Sequence, residues 1–190
     1  KFSTDLNTIP SKNKYLKSNP QRISKWKNFF DSKKINIGIT WQSSNTKLID
    51  EGRNLNVNFF TEISQLNNVK LFSLQKITGL SQLEKKNSEL IINTFDDQFD
   101  KEAPFIDSAA VIENLDLVIT IDSAIPHLSG ALGCKTWLLL QKKPHWTWML
   151  KKNFTPWYPS ISIYRQSVDG EWKDVFDNVK KDLKKNFNIE

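Results

Sequence analysis

The residues best placed for chemistry come directly after apolar runs. Asp122, Ser123, Ala124 and His127 follow Leu115, Leu117, Val118, Ile119 and Ile121, a run rich in β-branched side chains. A short acid, a hydroxyl and a small residue at the start of a helix leave backbone N–H groups accessible at its positive end. That arrangement suits a phosphate. Ser123 adds a hydroxyl donor, and His127, one turn into the helix, can face the same ligand. Asp122 would not face a phosphate, since two anions repel; it is expected to cap the helix or to fix Ser123 and His127. Two further apolar runs end in polar residues, Trp41-Gln42-Ser43-Ser44 and Gln75-Lys76. Arg53 and Lys47 lie in a loop that should overhang the same edge, and a fixed fork of donors suits a diphosphate. Plainer readings stand beside these: Asp122 as a simple N-cap, His127 as a structural histidine, Arg53 as a solvated loop residue. The convergence of three strand ends favours binding.

Several site classes are excluded. No G-x-G-x-x-G follows a strand, because Gly130 and Gly133 fall at the end of a helix, and no P-loop is present. Two histidines and one cysteine, well apart in sequence, give no metal-ligand cluster. The net charge of +6 is concentrated in pairs such as Lys142-Lys143, Lys151-Lys152, Lys180-Lys181 and Lys184-Lys185. These read as solvated surface or as attraction for a phosphate-bearing ligand or anionic surface. Nucleic-acid binding has no matching motif. No apolar run approaches the roughly 20 residues of a membrane span, and a signal peptide is not expected among these residues. The lone Cys134 fits a reducing compartment, so the expected location is the cytoplasm. With no initiator Met among its 190 residues, the chain is expected to begin inside a longer protein.

The elements that must position these residues alternate between strand and helix. Residues 1–18 read as a lead-in or interdomain segment, and residues 19–190 as the domain. Asn19-Pro20 starts a helix over Pro20–Phe30, and Ile35–Trp41 is the first strand. A polar loop, Gln42–Leu55, leads to a helix capped by Asn56, with Phe59, Phe60, Ile63 and Leu66 as its buried stripe. Val69–Leu74 is a strand, Leu80–Lys86 a short helix, Glu89–Asn93 a further strand and Ile106–Asn114 a helix. The central β-α-β unit spans Leu115–Leu140, its strand buried on both faces and its helix ending at Gly133. Trp146, Trp148 and Trp157 read as local core of an irregular segment, or as an apolar wall beside a sugar or base. Ile161–Arg165 is the last strand, and Trp172, Val175, Phe176, Val179 and Leu183 mark a closing helix. The expectation is an α/β, Rossmann-like, three-layer domain with a parallel sheet of about six strands and Leu117–Ile121 at its centre. Ligands of such sheets bind at the carboxyl ends of the strands.

The sequence LDLVITIDSAIPHLSGALGCKTWLLL, continuing through W-x-W and the P-W-Y-P run, resembles the carboxyl-terminal half of bacterial glycosyltransferases fused behind tetratricopeptide repeats. More remotely it is similar to lipopolysaccharide heptosyltransferases. GITWQSS, the Arg53 loop, LFSLQK and DSAAVIENLDLVI extend the resemblance over roughly residues 15–185. It implies the second Rossmann-like domain of a GT-B fold, the half that holds the nucleotide sugar. It implies that Asp122, Ser123, Ala124 and His127 line the diphosphate and ribose site, together with Trp41, Gln42, Ser43, Arg53 and Gln75. It implies no metal and no cofactor beyond a nucleoside diphosphate sugar as donor substrate. Its partners would be an amino-terminal domain absent from this chain and tetratricopeptide repeats. Where this chain has Ser43-Ser44, the resembled proteins usually carry a Gly.

The expected function is a donor-binding domain of a glycosyltransferase that passes a sugar to an unknown acceptor, inactive without its amino-terminal half. No general base is assigned. The alternatives are a non-catalytic scaffold of the same fold within a repeat protein, and a nucleotide-binding domain unrelated to sugar transfer.

Overall fold

A computed structural model of the chain describes residues 4–6, 8, 9, 13–43 and 52–189. Helix α1 (Pro20–Lys27) starts where the Asn19 side chain accepts from the N–H of Gln21, with Pro20 at the first helical position. It ends at Asn28, short of the expected Phe30, which packs its ring on Phe72 at 4.8 Å. Strand β1 (Ile35–Ile39) follows. Asn56 then accepts from the N–H of Asn58 and opens a 3-10 turn, Val57–Phe60, which runs into helix α2 (Thr61–Ser64). Next come strand β2 (Val69–Ser73), helix α3 (Ser81–Glu84), helix α4 (Ile106–Ile112) and strand β3 (Leu117–Ile121). Helix α5 (Ala124–Ala131), strand β4 (Thr136–Leu140), strand β5 (Ile161–Arg165) and helix α6 (Lys173–Phe187) complete the chain.

The strands form one parallel sheet in the order β2-β1-β3-β4-β5, so β3 is central and all five of its residues are buried, as expected. β1 pairs with both β2 and β3, for example Ile37 with Leu71 and with Leu117. Among the described residues the sheet has five strands where about six were expected. Glu89–Asn93 makes a single parallel bridge, Asn93 to Phe72. Leu90 and Ile92 turn to the core while Ile91 is 64% exposed, but the backbone of the segment bonds β2 only at Asn93, so it lies along the sheet edge without becoming a strand.

Alternation along the strands divides the core between two faces. Ile37, Ile39, Leu117, Ile119, Trp137 and Leu139 pack against Phe60 and Ile63 and against Val175, Val179 and Leu183 of α6. On the other face Val118 and Leu74 meet Trp26 of α1, Val111 and Ile112 of α4, and Ile125 and Leu132 around α5. The fully buried Asp107 ties α1 to α4. It accepts from Trp26 Nε1 at 2.7 Å, Arg22 Nη1 at 2.9 Å and the N–H of Asp100 at 2.9 Å. Burial pushes this carboxyl's pKa up, but the hydrogen bonds from Trp26 and Arg22 outweigh it and hold it below the usual carboxylate range.

The aromatic segment is core only in part. Trp148 is fully buried, and Trp157 is half-buried with its indole N–H donated to Thr147 O at 2.9 Å. Trp146 is 72% exposed and belongs to no core. Gly133 (φ +71°) follows the end of α5 in the left-handed region, as expected for a helix stop. The N–H groups of Tyr15 and Leu16 both donate to Ala131 O at 3.0 Å, laying the lead-in along the end of the helix.

Within α5, Gly130 faces the ring of Tyr158: a Cβ there would stand 2.5 Å from one ring carbon and 2.6 Å from another. Gly→Ala in a helix normally stabilises by about 1 kcal/mol. Here overpacking costs about 1–3 kcal/mol. Gly130→Ala should therefore lower the melting temperature; an unchanged or raised value would show that Tyr158 can swing aside.

Candidate functional site

The topology places a crevice where the strand order reverses. From β1 the chain moves outward to β2, then crosses back over β1 to β3, so the carboxyl ends of β1 and β3 diverge. A cleft of about 610 Å³ lies there. Thr40 and Leu74 line it just beyond β1 and β2, Ser123, Ala124 and Ile125 beyond β3, and Pro104, Phe105 and Ser108 at the start of α4. Beneath it the hydroxyls of Thr40 and Thr120 lie 2.6 Å apart and tie β1 to β3. Its apolar part is formed by Leu74, Ile77, Phe105 and Ile125.

Of the nine residues proposed from sequence, Gln42, Ser43, Arg53, Gln75, Ser123 and Ala124 line this cleft. Trp41, Asp122 and His127 do not. Trp41 is completely buried in the core, and its indole N–H donates to Gly79 O at 3.1 Å. The alternation that turns Ile37 and Ile39 inward turns Trp41 inward as well. Lys47 and Ser44 fall outside the described residues.

Gln75 acts as a clamp. Its Oε1 accepts from the N–H groups of Trp41 and Gln42, each at 3.2 Å. Its Nε2 donates to Gln42 O at 2.7 Å and to Thr78 O. A single amide thus knits the chain leaving β1 to the chain leaving β2, and its hydrogen bonds serve the backbone. Ser43 is held through its N–H, which donates to Asn54 Oδ1 at 2.9 Å. Arg53 is half-buried, and its Nη1 reaches Asp122 O at 3.4 Å, so the loop ahead of α2 leans on the turn that starts α5.

That turn is capped by Ser123. Its hydroxyl accepts from the N–H of Ile125 at 3.3 Å, taking the role expected of Asp122. Helix α5 begins at Ala124, so the cap position falls on the serine and not on Asp122. Pro126 then stands third in the helix and removes one N–H from the first turn.

His127 points away from the cleft. Its ring stacks on Trp148 with centroids 4.9 Å apart, and its Nδ1 lies 3.1 Å from the Tyr158 hydroxyl. The residue is exposed overall, yet one ring face is covered. Burial of the ring lowers its pKa, with His145 adding to the effect and Asp122 opposing it.

Sequence reasoning did not select three groups of the cleft. Lys76 Nζ donates to Phe99 O at 2.8 Å and Asp100 O at 2.7 Å, which fixes a cation beside the lining. The Asp100 carboxylate accepts from the N–H of Asp107 at 2.6 Å and of Ser108 at 3.0 Å, capping α4 from outside the helix. Phe105, 46% exposed, enters α4 in the left-handed region at φ +64°. The adjacency of Lys76 to Gln75 was a usable signal; Asp100 and Phe105 gave none. Two cations, a capped helix N-terminus and an apolar floor together suit a ligand with one anionic and one flat apolar part. Among the described residues no group of three His, Cys, Asp or Glu could hold a metal ion.

No protein-family model matches this sequence. Protein FlbA of Caulobacter vibrioides is 24% identical over 174 residues, covering 90% of this chain and 29% of that protein. The chain therefore spans less than a third of that curated relative. The structure of Escherichia coli ADP-heptose LPS heptosyltransferase II aligns with a TM-score of 0.61 at 13% identity, over 90% of this chain and 54% of that one. A glycosyl transferase family 9 structure from Veillonella parvula aligns with a TM-score of 0.58 at 13% identity, over 95% and 48%. At this identity the likeness is one of fold: a Rossmann-like α/β domain with a parallel sheet, of the kind these GT-B glycosyltransferases contain, about half their length.

The cap and the histidine can be tested separately. Ser123→Ala should cost about 0.5–2 kcal/mol of stability, the usual loss for an N-cap, and Asp122→Ala less. Denaturant titration of both variants checks this; a larger loss for Asp122→Ala would return the cap to the aspartate. His127 has a depressed folded pKa, so its contribution is present above the ordinary value of 6.5 and is lost as pH falls through the folded pKa. Stability should therefore decline less steeply below pH 6.5 in His127→Gln than in the parent. Identical pH profiles would rule out that linkage.

Proposed function

We propose that this domain holds the donor of a glycosyl-transfer reaction, a nucleoside diphosphate sugar, in the cleft between β1 and β3. One observation carries the reading: the topological switch point, the Ser123-Ala124 helix start and the Arg53 guanidinium meet at one cavity. The nucleoside would lie on Leu74, Ile77, Phe105 and Ile125. The diphosphate would lie over Ser123 and Ala124, within reach of Arg53 and Lys76. The reaction would break the bond between the sugar and the diphosphate, and the domain's part is to stabilise charge as it develops on the leaving diphosphate. The acceptor site and the general base would come from an amino-terminal GT-B half. The likeness to structures about twice as long supports that division. Tetratricopeptide repeats and a cytoplasmic location belong to the same proposal. No helix among the described residues is long and apolar enough to cross a membrane.

A second reading, a non-catalytic module of the same fold, draws on the α5 turn. Pro126 and the Ser123 cap together leave it fewer N–H donors than an open helix start offers. Calorimetry with a panel of nucleoside diphosphates and nucleotide sugars separates the two. The donor-site reading expects weak binding of at least one nucleoside diphosphate and no sugar transfer by these 190 residues alone. Arg53→Ala should weaken that binding by about 1–3 kcal/mol, the cost of a hydrogen bond to a charged group. Absence of all nucleotide binding would favour the scaffold. Loss of binding in His127→Ala with Arg53→Ala unaffected would move the diphosphate to the Trp148 side of α5.

A further inference from the structure

Away from the cleft, the segment after β4 displays apolar side chains to water. Trp146 is 72% exposed, Leu150 65% and Phe154 53%, all within nine residues. The backbone that carries them is firmly held. Trp148, between the first two, is fully buried against His127. Thr147 O accepts from Trp157 Nε1 at 2.9 Å, and Trp148 O and Lys152 O accept from Arg165 Nη2 at 3.3 and 3.4 Å. Asn153 O accepts from the N–H of Ile163 at 2.8 Å, and Phe154 bridges to Ser162. A loop anchored at this many points presents its apolar residues in a set geometry. Exposed apolar residues on an ordered scaffold mark a contact surface.

The charge around them indicates the occupant. Residues 141–157 contain no Asp or Glu, and Lys142, Lys143, Lys151 and Lys152 are all exposed. Lys152 Nζ lies 5.6 Å from the ring centroid of Phe154, so charge and apolar surface are interleaved. The nearby acid is Asp169, 4.0 Å from Lys143. We propose that this segment docks the domain on an anionic lipid surface. Trp146, Leu150 and Phe154 enter the interface, and the four lysines meet head-group phosphates. Trp suits the boundary between water and hydrocarbon, and lysine stems lie along apolar surface while their ammonium groups stay in water. Apolar insertion and lysine attraction together give reversible surface binding, which needs no spanning helix. Single-stranded nucleic acid is bound by stacking on aromatic rings, and of the three exposed apolar side chains Leu150 offers no ring. The segment's guanidinium neighbour, Arg165, is turned inward onto carbonyl oxygens.

Cosedimentation with vesicles tests this on the 190-residue chain. One set is phosphatidylcholine alone and the other contains phosphatidylglycerol. Binding is expected to the second set only, and it should weaken as salt is raised. The variant Trp146→Ser/Leu150→Ser/Phe154→Ser should keep its melting temperature and lose binding about tenfold or more. Lys151→Gln/Lys152→Gln should lose about fivefold per lysine. Failure to bind anionic vesicles, or equal binding by the triple variant, would overturn the proposal. So would retention on an oligonucleotide without vesicle binding, or self-association abolished by the triple variant without vesicle binding. None of these outcomes depends on whether the cleft takes a nucleotide.

Discussion

The structure depends on one requirement: strand β3 is withdrawn from water on both faces. Leu117, Ile119 and Ile121 need an apolar partner on one side of the sheet, and Val118 with Thr120 on the other. Burying a strand this way is favourable only if its backbone groups pair with strands on either side and helices cover both faces. β1 and β4 satisfy the first condition, and α4 and α5 on one face with α6 on the other satisfy the second. The single polar side chain inside the strand, Thr120, meets its own need through Thr40 and the carbonyl of Ile121. Once β3 is central, its carboxyl end opens beside that of β1, and the cleft is a consequence of strand order.

The walls of the cleft are organised by polar side chains that serve backbone. Gln75 joins the exits of β1 and β2, Lys76 holds the carbonyls of Phe99 and Asp100, and Asp100 caps α4. These bonds cross loops that regular secondary structure cannot fix, and they leave the apolar floor of Leu74, Phe105 and Ile125 open. The division is economical: groups that could have contacted a ligand instead hold the loops. Arg53 and Lys76 then supply the positive charge at the lining, with the turn Ser123-Ala124 beside them.

On the other side of α5 the packing is aromatic. Tyr158 occupies the space that Gly130 leaves, His127 lies on Trp148, and Arg165 holds the backbone of the segment beyond. The same helix therefore separates two surfaces of different character, a polar-rimmed cleft at its start and a basic, apolar-tipped loop along its flank.

The local features were legible in the sequence because their causes are local. Alternation and apolar runs marked the strands, Asn19 and Asn56 marked helix starts, and Gly133 marked the end of α5. Strands alternating with helices implied a parallel sheet with Leu117–Ile121 central. The expected edge strand at Glu89–Asn93 failed because its backbone pairs with β2 only at Asn93, although Leu90 and Ile92 reach the core. What tertiary structure decided was the direction and pairing of side chains at the strand ends. Trp41 turned into the core, Gln75 became a clamp on a segment 33 residues away, and Arg53 met a carbonyl 69 residues on. Ser123 took the cap because α5 begins at Ala124, and His127 chose Trp148 over the cleft. Residue type fixes what a side chain can bond. Which partner it meets is set by long-range packing, and periodicity in one chain contains no record of that.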